Sequence, residues 1–196
     1  GKSLHQIINE LGALPEGEAI SYIKDAAEAL KYVHSLNRLH LDIKPGNIMV
    51  NSMDNAILID FGASKQYDEV DGENTSTLLG KTPGYAPIEQ MSNNVKQFTP
   101  ATDIYSLGAT LYKLLTGVTP PDATEIFNEG LEELPESISK STNDAVMKAM
   151  ELRVKNRPQT IDAFLEMLDN TTVESTQIQD VNKKENLVEK TPVSEE

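Results

Sequence analysis

Three short polar stretches of this 196-residue chain concentrate the side chains that could do chemistry. His40-Leu41-Asp42-Ile43-Lys44-Pro45-Gly46-Asn47 brings a carboxylate, an amine and a side-chain amide close together. Asp60-Phe61-Gly62 comes thirteen residues after Asn47 and follows a short apolar run. Gly80-Lys81-Thr82-Pro83-Gly84-Tyr85-Ala86-Pro87-Ile88-Glu89 lies further on, late in a long loop. Carboxylates suit proton transfer, and with amide oxygens they suit hard cations such as Mg²⁺. The chain has no Cys, so disulfides, thiolate zinc sites and cysteine nucleophiles are excluded. Taken singly, each stretch also reads as a plain turn, with Asp or Asn bonding the nearby backbone. Any functional meaning rests on all three occurring in order.

The elements that must position these residues follow from spacing. Ser3 predicts an N-cap for a helix to about Leu11, closed by the breaker Gly12 to Pro15. Ile20, Ile23, Ala27, Leu30 and Val33 recur at three- and four-residue steps and predict a helix over about 16–35. Glu16 and Glu18 lie in its first turn, where carboxylates complement the helix dipole. Pro45 and Gly46 rule out a helix through the first polar stretch. Ile48–Asn51 and Ala56–Ile59, around Ser52-Met53-Asp54-Asn55, predict a small β-hairpin. Residues 60–99 read mostly as loop. Thr102 to Thr116 carries Ile104, Leu107, Leu111, Leu114 and Leu115 and predicts a buried central helix. Further helices are expected near 122–129, 138–151 and 159–169. Residues 171–196 are polar and lack aromatics, which predicts a disordered tail or linker after a 1–170 domain.

Charge narrows the choices. With 31 acidic and 17 basic side chains the net charge is −14, which argues against a nucleic-acid partner. A local metal-loaded site for an anionic ligand stays open. No apolar run is long enough to span a bilayer, and the lack of Cys fits a cytoplasmic location. The start at Gly-Lys-Ser-Leu, without Met, suggests a fragment.

Together, the three stretches resemble the catalytic loop, the metal-binding Asp-Phe-Gly and the end of the activation segment of protein kinases. The resemblance implies that Asp42 accepts the acceptor's hydroxyl proton and that Asn47 and Asp60 hold Mg²⁺ beside ATP. Lys44 resembles the phosphate-holding lysine of Ser/Thr-type kinases, and Thr82 the threonine that shapes their substrate groove. Asp103 resembles the buried acid that receives hydrogen bonds from the catalytic-loop backbone and His40. Glu89 and Arg157, the latter in Asn156-Arg157-Pro158, resemble a buried ion pair. His40, Phe61 and Gly62 would be structural, with His40 and Phe61 packing rather than binding ligands. Met49 is either the floor under adenine or plain core, and Ser3 either touches the ribose or only caps its helix. His5 and His34 are read as isolated helix residues, solvated or packed.

The departures from the family are specific. Leu41 stands where many kinases have Arg, so it cannot grip a phosphate on the activation loop. Strong dependence on phosphorylation at Thr75, Ser76 or Thr77 is therefore not expected. Pro87-Ile88-Glu89 replaces the usual Ala-Pro-Glu. No Gly-rich loop and no V-A-I-K-like strand precede the catalytic loop, so the nucleotide's roof lies outside this chain.

The expected fold is mainly α (α+β): a protein kinase-like C-terminal lobe with one small β-hairpin and no N-terminal lobe. The expected activity is that of a serine/threonine protein kinase, resembling compact bacterial members. Its partners would be ATP, protein substrates with Ser/Thr acceptors and the missing N-terminal lobe. The alternative is a pseudokinase-like scaffold, against which the presence of Asp42, Lys44, Asn47 and Asp60 weighs. Transfer to small molecules is disfavoured by Lys44 and Thr82.

Overall fold

The computed structural model describes residues 1–61, 65–66, 82–91 and 98–169. Gly62, Thr75–Thr77 and the segment from 170 onward lie outside them. The chain opens with β1 (Lys2–Ser3) and α1 (Leu4–Leu11). Ser3 caps α1 as its type predicts. The Gln6 N–H donates to Ser3 Oγ at 3.2 Å and the Ser3 N–H donates to Gln6 Oε1 at 2.9 Å, a reciprocal capping box.

The next helix, α2 (Glu16–Ser35), covers the span predicted by its apolar period and buries Ala19, Ile20, Tyr22, Ile23, Ala26, Ala27 and Leu30. Glu16 does more than meet the helix dipole. Its carboxylate accepts the Ser139 hydroxyl at 2.5 Å, and Ser139 is the N-cap of α6 (Lys140–Ala149).

After α2 come β2 (Arg38–Leu39) and a 3-10 turn at Pro45–Asn47. The predicted hairpin follows as β3 (Ile48–Val50) and β4 (Ala56–Leu58), with Met49 opposite Ile57. The sheet has a third strand: β1 pairs antiparallel with β3, Ser3 opposite Met49. Two residues are too few to show the alternation that signals a strand. A second ladder joins β2 to β5 (Lys65–Gln66). Within the expected loop, Ile88–Met91 forms a short helix, α3.

The core centres on α4 (Pro100–Thr116), which starts two residues before the predicted span. Pro100 occupies its first turn, where a missing N–H has no intrahelical partner to lose. Ile104, Tyr105, Leu107 and Leu111 have no exposed surface, and α2 and α6 pack on either side. Burying each large apolar side chain contributes about 1.5–3 kcal/mol. Beyond α4 come α5 (Ala123–Glu129), α6 and the helical residues 161–169, here α7. Asp122 and Ser139 cap α5 and α6, which fixes those starts a residue or two inside the predicted spans. Among the described residues no helix is long and apolar enough to cross a membrane.

Gly108 sets how closely α4 and α6 approach. A Cβ there would lie 2.6 Å from the Ala149 Cβ. Gly108→Ala should therefore lower stability by about 1–3 kcal/mol through overpacking. Gly17→Ala has nothing within 4 Å and should stabilise by about 0.4–1 kcal/mol. Urea unfolding of the two variants should show these opposite signs.

Candidate active site

The site is built on a loop that the core holds from behind. Asp103, one turn into α4, is fully buried. Its Oδ1 accepts the Leu41 N–H at 2.8 Å and its Oδ2 accepts the His40 N–H at 2.9 Å. His34 Nε2 lies 2.8 Å from the same Oδ2. The sequence reading is therefore corrected on one point: His34 is packed, as one of the two expectations had it, but not isolated. It stands at the end of α2 and ties that helix to α4 and the loop.

Leu41 has φ 65, a left-handed backbone that costs an L-residue about 1–2 kcal/mol. Both of its polar backbone groups are taken: the N–H by Asp103 and the carbonyl by Gln90 Nε2 at 2.9 Å. Gln90, on α3, is buried, and nothing in the sequence pattern marked it. An amide in a four-residue helix has no periodicity to betray it.

The strained turn presents Asp42, whose oxygens are surrounded by donors. Lys44 Nζ lies 3.0 and 2.8 Å from Oδ1 and Oδ2, and the Thr82 hydroxyl donates to Oδ1 at 3.0 Å. Lys44 Nζ also donates to Thr82 Oγ1 at 3.1 Å. Asn47 Nδ2 donates to the Asp42 carbonyl at 2.8 Å and to its Oδ2 at 2.9 Å. Three residues from two distant segments thus converge on one half-buried carboxylate.

Asp60 is bracketed by its neighbours. The Ile59 N–H donates to the Asn47 carbonyl at 2.9 Å, and the Ile59 carbonyl lies 3.0 Å from His40 Nε2. Phe61 packs its ring against His40, with centroids 4.8 Å apart. His40 Nδ1 accepts the Asp42 N–H at 3.3 Å, so the Nε2–H tautomer satisfies both ring contacts. The His40 ring faces Ile59, and only its backbone meets Asp103. Phe61 keeps 42% of its surface exposed, in contrast to the fully buried His40. Met49 is half-buried on the face of β3 opposite the core residues Ile48 and Val50, beside the half-exposed Ile57. Ser3 is buried in its cap. His5 contacts Asn9 on the exposed face of α1.

The donor chemistry fits a hard divalent cation. The Asn47 amide nitrogen is spent on Asp42, which leaves its carbonyl oxygen as a ligand, and Asp60 adds a carboxylate. Among the described residues no three His, Cys, Asp or Glu converge on a metal site. A cation held by these two side chains would need further oxygen ligands, such as water, to complete its shell.

The segment carrying Thr82 is fixed by a second buried charge. Arg157 and Glu89 form a bidentate pair at 2.6 and 3.0 Å. The remaining guanidinium N–H groups donate to the carbonyls of Glu151, Ala101 and Leu152. The guanidinium stacks 4.9 Å over Tyr105, whose phenol is pushed up to about 12, chiefly by burial. Gly84 has φ 82, and a Cβ there would meet the Pro120 carbonyl at 2.6 Å, so only glycine fits this turn.

Comparison with known proteins gives one consistent result. The family model described as "Protein kinase domain" matches residues 1–184. A Clostridium perfringens protein named "Probable serine/threonine-protein kinase CPE1738" is 33% identical over 92% of this chain and 28% of its own length. "Serine/threonine-protein kinase B" of Synechocystis is 34% identical over 91% of this chain and 32% of its own. The chain therefore spans less than a third of the curated relatives it matches.

Asp103→Ala would leave the His40 and Leu41 N–H groups buried without an acceptor and remove the restraint on a left-handed leucine. The expected loss is about 3–5 kcal/mol, the scale for breaking a buried charged contact. His34→Ala removes one donor of three and should cost about 1–3 kcal/mol. Thermal unfolding of the two variants should rank them in that order.

Proposed function

The chain belongs to the protein kinase family, and on that premise we propose that it is the catalytic lobe of a serine/threonine protein kinase. The family in general uses ATP and a divalent metal and acts on protein substrates. The observation that carries the finer reading is the convergence of Lys44, Thr82 and Asn47 on Asp42.

In this reading Asp42 orients the acceptor hydroxyl and takes its proton at a carboxylate oxygen. Lys44, held between Asp42 and Thr82, reaches the transferring phosphate. Mg²⁺ bound with ATP neutralises phosphate charge, and Asn47 and Asp60 are the residues that would hold it. Met49 and Ser3 would lie against the nucleotide, and Thr82 would border the substrate groove. Glu89, Asp103, Arg157, His40, Phe61 and Gly62 would support the site. The exposed faces of Met49, Ile57 and Phe61 suit a covering N-terminal lobe supplied by sequence outside this chain. Residues 1–170 would form the lobe and 171–196 a linker, although the family match itself runs on to 184. Lys44 and the names of the relatives favour Ser/Thr over Tyr acceptors. A scaffold role is the weaker reading, because nothing in a scaffold requires all of Asp42, Lys44, Asn47 and Asp60.

The 196-residue chain alone, given Mg-ATP and a generic protein acceptor, should transfer no phosphate above background. Half of the positioning and water exclusion is missing. The longer protein that includes the upstream sequence should phosphorylate Ser/Thr, and Asp42→Asn should slow it by about a hundredfold or more. Equal activity of the wild type and Asp42→Asn, or a phosphotyrosine product, would overturn the reading.

A further inference from the structure

Asn47 enters the β3–β4 hairpin and Asp60 leaves it, so the separation of these two oxygen donors depends on how the hairpin is held. Its base is closed by the Ile59 N–H to Asn47 carbonyl bond. Its tip is held by α2. The Tyr22 hydroxyl, on a side chain only 3% exposed, donates to Asp54 Oδ1 at 2.8 Å in the turn, and Glu18 Oε1 lies 3.1 Å from the same hydroxyl. One turn further along α2, Asp25 Oδ2 accepts the Ala56 N–H at 2.8 Å, at the start of β4.

The turn needs this anchor. Asp54 has φ 63, and the loop otherwise closes on itself through Asn51, whose Oδ1 accepts the Met53 and Asn55 N–H groups. Strands of three residues have little pairing of their own to fix their register. A one-residue slip would turn every side chain of β4 to the opposite face. From Ala56 to Asp60 is about 13 Å, four residues at about 3.3 Å each.

We propose that Tyr22 and Asp25 are positioning residues for the divalent cation: from α2 they hold the tip of the hairpin and so set the placement of Asn47 and Asp60 at its base. Neither residue touches the metal. This inference rests on the kinase reading only in taking Asn47 and Asp60 as the metal's ligands. Burial, with the facing carboxylates of Asp54 and Glu18, holds the Tyr22 phenol well above its ordinary range, so it serves as a donor.

The test reads metal binding and needs no turnover. The longer protein that includes the upstream sequence is titrated with Mn²⁺, the paramagnetic probe, in the presence of a non-hydrolysable ATP analogue, and bound Mn²⁺ is followed by electron paramagnetic resonance. Asp60→Asn should abolish the tight site. Tyr22→Phe and Asp25→Ala should each raise the Mn²⁺ dissociation constant about three- to tenfold, in line with one lost hydrogen bond. Asp25→Asn, which keeps an acceptor oxygen, should recover most of that loss. Tyr32→Phe, an exposed tyrosine on the same helix, should change nothing. A merely structural role would lower the fraction of binding-competent chain and leave the dissociation constant unchanged, which would overturn the proposal. So would wild-type affinity in both Tyr22→Phe and Asp25→Ala while Asp60→Asn loses the site. Absence of Mn²⁺ binding by the wild type, or indifference to Asp60→Asn, would instead overturn the assignment of the metal ligands and with it the proposal.

Discussion

The three hydrogen bonds to Asp103 are the constraint on which the rest of the site depends. A carboxylate with no exposed surface is costly to bury unless its lone pairs are used. Here the donors come from three places: the backbone of His40 and Leu41 and the ring of His34. The carboxylate sits on the most deeply packed helix of the lobe, so the loop carrying Asp42 is referenced to the core rather than to the surface. The same bonds hold Leu41 in a left-handed conformation that a leucine would not adopt unaided.

A second buried charge does for the 82–91 segment what Asp103 does for the loop. Every N–H of the Arg157 guanidinium has an acceptor, two of them on Glu89, so the pair leaves no buried donor of that group unsatisfied. Such pairs add little net stability but fix geometry strongly. The Thr82–Asp42 bond is where the two anchored pieces meet. Its 3.0 Å geometry is the product of two independent buried anchors, and either one's loss would be felt there.

Much of this was legible in the residues, and what was hidden had physical reasons. Helices α1, α2 and α4 declared themselves through caps and three- or four-residue apolar steps, and the hairpin through two short runs around a turn. Strand β1 and helix α3 were too short to carry a period. Glu89 with Arg157, and Asp103 with the loop, are legible only through the family resemblance; no spacing rule links residues 60 or more positions apart. The partner of His34 is hidden in the sequence because a single histidine on a helix looks the same whether it faces solvent or a buried carboxylate 69 positions away. Gln90 and Tyr22 were missed for a related reason: their partners are a backbone carbonyl and a turn aspartate, which leave no pattern in their own surroundings.

Leu41 brings these observations to a regulatory consequence. An arginine at this position could take up a phosphate on the activation loop, and that contact would order the segment only after modification. Leucine can make no such bond, and its side chain is buried instead. The order of the loop that carries Asp42 comes from bonds present in the chain itself. Asp103 and Gln90 supply them at the Leu41 N–H and carbonyl, and Arg157 supplies the corresponding hold on Glu89. Gln90 adjoins Glu89 on α3, so the helix that the ion pair fixes also carries the amide that grips the loop. Both halves of the site are thus coupled through one short helix. That arrangement argues for a site whose geometry is set by folding itself.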